Sequence, residues 1–221
     1  MAKNNRKQEN SFAVNLAEGQ KWVLRDEEHK SKAFVPLQID AGNSVEVVRV
    51  DGGLIAKQPT GEEICDNLVY TVKDARMGVN ITWIIELKGT KNEAEAKHSI
   101  TQIVKSIGFL QDQTAYPHAS KYIKNRDYVF AAIAGAPDKT LPPLNNQEIK
   151  ALCRKLKELS HKRKNVKDMF MLFCYIRPNK QCKKAQLKGI TPPYDILCYD
   201  HNDSYIAYPS MLMKLLEKKE K

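Results

Sequence analysis

The chain has 221 residues, 42% hydrophobic and 28% charged, which is long enough to bury a sizeable core and ordinary for a globular protein. No apolar run approaches the ~20 residues needed to span a bilayer, and residues 1–10 lack the hydrophobic stretch of a secretory signal and read as a flexible, solvated tail. Five cysteines (Cys65, Cys153, Cys174, Cys182, Cys198), an odd count without a Cys-x-x-Cys pair, argue against a disulfide framework or zinc ribbon and fit a reducing cytoplasm.

The net charge of +10 is unevenly spread: residues 1–148 hold 19 basic and 19 acidic side chains, and residues 149–221 hold 17 and 7. A basic segment joined to a neutral one is the footprint of a nucleic-acid binder, and equally of a solvated face, because charge speaks to partners and not to fold.

In chain order, residues 11–32 set Phe12, Val14, Leu16, Trp22, Val23 and Leu24 among charges, a weak helical pattern interrupted at Gly19. Phe34–Ile39 and Val45–Val50 read as short strands separated by the turn residues Asp40-Ala41-Gly42-Asn43. Asp51-Gly52-Gly53 is another turn, and Leu54–Ala56 starts a third short strand. Residues 64–73 and 81–88 form two strands with a short connection, which pair most simply as an antiparallel hairpin. A helix over 92–110 follows, with Thr90 or Asn92 as N-cap and Glu93 and Glu95 in its first turn. Ala96, Ile100, Ile103, Val104 and Ile107 make its apolar stripe, with His98 and Gln102 beside it.

Tyr128–Ala134 is a continuous apolar run, expected to be a central strand covered on both faces. A second helix over 146–162 opens with Asn145 and Glu148 spaced as a capping box. It buries Ile149, Leu152, Cys153, Leu156 and Leu159, and turns Lys150, Arg154, Lys155 and Lys157 outward. Lys162, Arg163 and Lys164 follow, and Lys183 and Lys184 lie in a basic loop after a strand over 169–176. Tyr194–Tyr199 and Tyr205–Tyr208 flank Asp200-His201-Asn202-Asp203 as a hairpin, with its tyrosines packing the strands, and Met211–Leu216 is a short amphipathic helix.

The strand over 81–88 carries a contradiction. Ile81, Trp83, Ile84, Ile85 and Leu87 read as buried, yet Glu86 and Lys88 interrupt them. Both point to one face, about 6.6 Å apart, and buried charges are costly unless paired or ligand-bound. A cross-strand ion pair at a sheet edge is the plain reading. The hairpin supplies a second: Asp66 faces Glu86, and two adjacent carboxylates suit a hard cation such as Mg²⁺, with Mn²⁺ able to substitute. Such an ion polarises a phosphoryl oxygen, and Lys88 is placed to orient the attacking water, which together point to phosphodiester hydrolysis.

The arrangement resembles the PD-(D/E)xK nuclease superfamily, in which an Asp begins one strand, (Asp/Glu)-x-Lys ends the next, and a helix then packs on the sheet. Asp66, Glu86 and Lys88 match those positions, in the contexts Cys65-Asp66-Asn67-Leu68-Val69-Tyr70 and Trp83-Ile84-Ile85-Glu86-Leu87-Lys88-Gly89. The match covers residues 60–135, and Cys65 stands where the motif's name has Pro. The resemblance implies an α/β fold with a central mixed β-sheet flanked by helices, a restriction-endonuclease-like core. It implies Asp66, Glu86 and the Leu87 carbonyl as Mg²⁺ ligands and Lys88 as the catalytic cation. Gln102 or His98 would assist from the helix, and Glu18, Glu28 or Glu63 would be a further acid.

The expected organisation is one nuclease domain over 11–221, with its catalytic core about 45–135 and a basic DNA-contacting part over 146–221. The expected activity is Mg²⁺-dependent cleavage of DNA, in restriction or phage defence, by a cytoplasmic protein acting as a homodimer or with a partner defence protein. The alternatives are a catalytically silent nucleic-acid-binding or assembly subunit of the same fold, or a nuclease acting on RNA or branched DNA.

Overall fold

A computed structural model describes residues 12–25, 33–55, 64–74, 80–88, 93–135, 146–159, 175–177, 198–200 and 204–217. The hairpin forms as expected: β5 (Asn67–Asp74) and β6 (Ile81–Lys88) run antiparallel in the register Asn67↔Ile85 to Tyr70↔Thr82. From β6 the chain crosses through helix α1 (Glu93–Gln111) to β7 (Tyr128–Gly135), which lies parallel to β6 with Ile81 opposite Tyr128 and Lys88 opposite Gly135. A parallel neighbour needs such a crossover because a tight turn cannot reverse the chain twice. On the other side, β4 (Asn43–Arg49) pairs antiparallel with β5, and β1 (Ala13–Leu16) with β4. Beyond β7, β8 (Tyr175–Arg177) and β9 (Cys198–Asp200) continue the sheet in parallel, giving the order β1-β4-β5-β6-β7-β8-β9.

A second sheet stands against the first. It has the order β10-β3-β2, from Ile206–Tyr208, Phe34–Ile39 and Lys21–Arg25. Strand alternation sorts the core between them. Trp83, Ile85 and Leu87 face the small sheet and helix α3 (Ser210–Glu217), packing with Val35, Leu37, Ile39 and Leu212. Trp83 stacks on Tyr208 at 5.8 Å. Ile84, Leu68, Ile133 and Val129 face the other way, onto Ile100, Ile103 and Ile107 of α1 and onto Leu152 and Leu156 of α2 (Asn146–Leu159). β6 and β7 are buried on both faces, as their unbroken apolar runs require.

The far end of the hairpin is pinned by a buried arginine. Arg126 donates from Nη2 to the Thr71 carbonyl (2.5 Å) and the Ile81 carbonyl (2.8 Å), and from Nε to Thr82 Oγ1 (3.1 Å). The Tyr70 ring lies 4.0 Å from its guanidinium carbon. Thr71 Oγ1 donates to the Ile81 carbonyl and accepts from the Ile81 amide, at 2.8 and 2.9 Å. A one-residue slip would break every one of these bonds and turn each side chain to the other face.

The structure corrects several expectations. Residues 13–16 and 21–25 are strands, not a helix; the apolar residues at 14 and 16, and at 22 and 24, recur with the strand period of two, and Gly19 makes the intervening turn at φ 75°. The central sheet is mixed, as expected, and holds the strands near 45–50, 65–73, 81–88, 128–134 and 175–177; beside it stands a second sheet that was not expected, so β3 and β4, adjacent in sequence, belong to different layers. Among the described residues the C-terminal hairpin is not formed: β9 joins β8 in the large sheet, while β10 pairs in parallel with β3, where Ile206 and Tyr208 are buried. Burial against the small sheet outweighs the local turn signal. The third short strand reduces to a single bridge, Asp51↔Ile55. Both long helices and the C-terminal helix appear as read, and the strand over 169–176 is described only at 175–177. The caps at Thr90, Asn92 and Asn145 lie outside the described residues.

Candidate active site

The hairpin register decides where the carboxylates stand. One step outward from Asn67↔Ile85 sets Asp66 level with Glu86. Asp66 follows the parity of Leu68 and Glu86 that of Ile84, so both belong to the face that α1 covers. Asp66 is held at three points. Its carbonyl accepts the Val50 amide (2.8 Å), its Oδ2 accepts the Leu87 amide (2.6 Å), and the amide of the preceding Cys65 donates to Ser106 Oγ (2.7 Å). Ser106 Oγ in turn donates to the Gln102 carbonyl (2.7 Å). The strand start is thereby tied to both neighbouring strands and to α1.

Glu86 is 1% exposed. Lys88 Nζ lies 2.7 Å from its Oε1, and the lysine side chain is 16% exposed. The lysine is therefore the less buried member of this pair. The Cys65 thiol reports the surrounding charge: burial pushes its pKa well up, the Ser106 hydroxyl opposes this, and Glu86, Asp66 and Asp51 raise it further.

Asp51 was not among the upstream acids expected from the sequence. It sits in the turn after β4, a turn that only glycine fits: Gly52 has φ 62°, and a Cβ on Gly53 would lie 2.4 Å from the Arg49 carbonyl oxygen. The Asp-Gly-Gly tripeptide immediately after a strand was the available signal. Glu18 is instead exposed in the β1–β2 turn, where its Oε2 accepts the Gly42 amide (2.7 Å); Glu28 and Glu63 lie outside the described residues. Among the described residues, no three His, Cys, Asp or Glu side chains form a ready-made metal cluster.

His98 and Gln102 part company despite their spacing. His98 is exposed, while Gln102 is 6% exposed and its Oε1 has no hydrogen-bond partner among the described residues. On α2, Arg154 is exposed and Lys155 half-buried, on the helix whose Leu152 and Leu156 pack against the same core as α1. The described part of the basic segment thus flanks the face bearing Asp66 and Glu86. The side chains of Lys150 and Lys157, and residues Lys162, Arg163, Lys164, Lys183 and Lys184, lie outside the described set. Of the four C-terminal tyrosines, Tyr208 is buried packing and Tyr205 is exposed beneath Lys21 Nζ, 4.7 Å from its ring centroid.

Comparison with family models, with curated proteins and with solved structures returned no match. No helix among the described residues is long and apolar enough to cross a membrane.

The donor set fits a hard divalent ion. Two carboxylates stand level on one face of a hairpin, Asp66 held by the Leu87 amide and Glu86 paired with Lys88. They offer oxygen ligands alone, which is the donor type a hard divalent ion takes.

Proposed function

We propose that the chain is a Mg²⁺-dependent endonuclease acting on DNA, with a restriction-endonuclease-like core formed by β4, β5, β6, α1 and β7. The observation that carries this reading is the hairpin register, which sets Asp66 level with Glu86 while Lys88 stands beside Glu86 at the more open end. Asp66 and Glu86 would hold the ion, with the Leu87 carbonyl a further ligand by resemblance to the PD-(D/E)xK superfamily. Bound there, Mg²⁺ supplies a Lewis acid for a phosphoryl oxygen and lowers the pKa of a water molecule.

The protein's own groups do the rest. The Leu87 amide fixes the Asp66 carboxylate, so this ligand is preorganised. Lys88, drawn to Glu86 at 2.7 Å, presents its ammonium to the attacking water and to the charge that develops on the phosphorus. Gln102 of α1, buried, would assist by resemblance to the superfamily. Arg154 and Lys155, with the basic residues that follow, contact phosphates, which makes affinity fall as salt rises. A role in restriction or phage defence, in the cytoplasm, as a homodimer or with a partner defence protein, is the setting this chemistry suits; two-fold symmetry matches two cuts in a duplex.

The experiment is direct. Purified protein is incubated with plasmid, linear and single-stranded DNA and with RNA, in Mg²⁺ and in EDTA, beside Glu86→Ala and Lys88→Ala. Cleavage of DNA by the wild type alone, abolished by EDTA, is expected. Equal cleavage by all three proteins refutes the site. Salt-sensitive DNA binding without cleavage assigns the chain to the silent binding subunits instead.

A further inference from the structure

The register of the β5–β6 hairpin sets Asp66 level with Glu86, so whatever fixes that register fixes the site. The burial pattern does not fix it. Ile81 to Leu87 of β6 are all buried, and so are Leu68, Val69 and Thr71 of β5. Burial specifies register strongly where one face is dry and the other wet. Here both faces are dry, and a shift of two residues keeps every side chain on its own face. The turn does not fix it either, because the connection over residues 75–80 is longer than the two-residue loops that dictate a hairpin's pairing.

The polar contacts at the far end do discriminate. One nitrogen of Arg126, Nη2, donates both to the Thr71 carbonyl of β5 (2.5 Å) and to the Ile81 carbonyl of β6 (2.8 Å). A slip of two residues carries one strand about 6.8 Å past the other, which takes the two oxygens out of reach of a single donor. Thr71 Oγ1 adds bonds to the Ile81 amide and carbonyl, and Arg126 Nε adds one to Thr82 Oγ1. Arg126 itself is held at the entry to β7. The next residue, Asp127, accepts the Asn80 amide at Oδ2 (2.6 Å) and donates its own amide to the Asn80 carbonyl (2.9 Å). One side chain therefore ties β5 to β6 from the start of β7. At 3% exposure its charge is costly to bury, and the best-attested use of such a buried charge is to specify register.

We infer that Arg126, with Thr71, is the register lock of this hairpin and thereby a positioning residue that holds Asp66 level with Glu86 from the opposite end of β5. In the registers displaced by two residues, Asp66 would stand level with Lys88 or with Ile84, and the two carboxylates would part. The consequence for metal binding rests on the reading proposed above; the lock itself does not.

The test uses the full chain, isotopically labelled, as wild type and four variants. Arg126→Gln is too short to span both carbonyls, and Arg126→Lys keeps a cation of similar length. Thr71→Val keeps the shape of the side chain without its hydroxyl. Leu152→Ala, in α2, lowers stability away from the network. Cross-strand nuclear Overhauser contacts in the metal-free protein read the register. Wild type, Arg126→Lys and Leu152→Ala are expected to show the single set running from Asn67↔Ile85 to Tyr70↔Thr82. Arg126→Gln and Thr71→Val are expected to add a second set displaced by two residues. Both are also expected to bind Mn²⁺ about tenfold more weakly per folded molecule in calorimetric titration, with Leu152→Ala unchanged. A single wild-type set of contacts in Thr71→Val, or in Arg126→Gln, overturns the inference whatever Mn²⁺ does. No Mn²⁺ response in the wild type overturns the metal reading, and the contacts still decide the lock.

Discussion

Replacing Ser106 by alanine tests how the site is held in place. Ser106 is fully buried, accepts the Cys65 amide at 2.7 Å and donates to the Gln102 carbonyl at 2.7 Å. The second bond is a helix back-bond whose loss is inexpensive. The first is not, because Cys65 is itself fully buried and its amide would be left without an acceptor. Stranding a buried donor costs about 1–3 kcal/mol, and the better helix propensity of alanine returns about 0.5 kcal/mol. A net loss of about 1.5 kcal/mol is expected, or about 3–6 °C in Tm for a chain of this size. Urea and thermal unfolding followed by circular dichroism measure it, with Ser106→Thr, which keeps the hydroxyl, as comparison. The residue after Cys65 is Asp66, so the same change should lower DNA cleavage per folded molecule by about 10- to 100-fold, the cost of misplacing a ligand by about 1 Å. A Ser106→Ala protein as stable as the wild type would refute the claim that this hydroxyl anchors the strand.

Three further outcomes are expected. Arg126→Met removes three hydrogen bonds donated by a buried guanidinium and should destabilise the fold by about 3 kcal/mol or more, measured as a lower urea midpoint with an unchanged slope. The Cys65 thiol has its folded pKa raised above the ordinary 9.0, so below pH 9 it is protonated in both folded and unfolded chains and stability is pH-independent on its account. Above pH 9 the unfolded chain loses the proton first, stability falls as pH rises, and Cys65→Ala should flatten that fall; the ordinary carboxylate pattern, a loss on acidification, is the opposite sign. Arg154→Glu combined with Lys155→Glu should weaken DNA binding uniformly across sequences and make the slope of log affinity against log salt shallower, by about one for each phosphate that is no longer neutralised.

The hairpin of residues 67–74 and 81–88 was legible because its signals are local. Ile81–Lys88 is a β-branched and aromatic run, a short connection precedes it, and two charges in it violate the apolar pattern. Side-chain alternation put Glu86 and Lys88 on one face, but the pairing of Asp66 with Glu86 depended on the register, which alternation does not set and the structure gives as Asn67↔Ile85. The division into two sheets was not legible, since it depends on β10 reaching β3, about 170 residues earlier, and a chain pattern of alternating residues does not say which sheet receives it. The role of Ser106 was invisible for a related reason. A serine in a helix carries no signal until the strand it faces is known, and Cys65 lies 41 residues from Ser106.

The central claim is that Asp66 and Glu86 share one divalent ion. A crystal of the full chain soaked in Mn²⁺ and measured at the manganese absorption edge tests it most directly. The account predicts one anomalous peak bridging the two carboxylates, at about 2.0–2.2 Å from an oxygen of each. Well-ordered carboxylates with no peak between them, and Glu86 engaged with Lys88 alone, would contradict it.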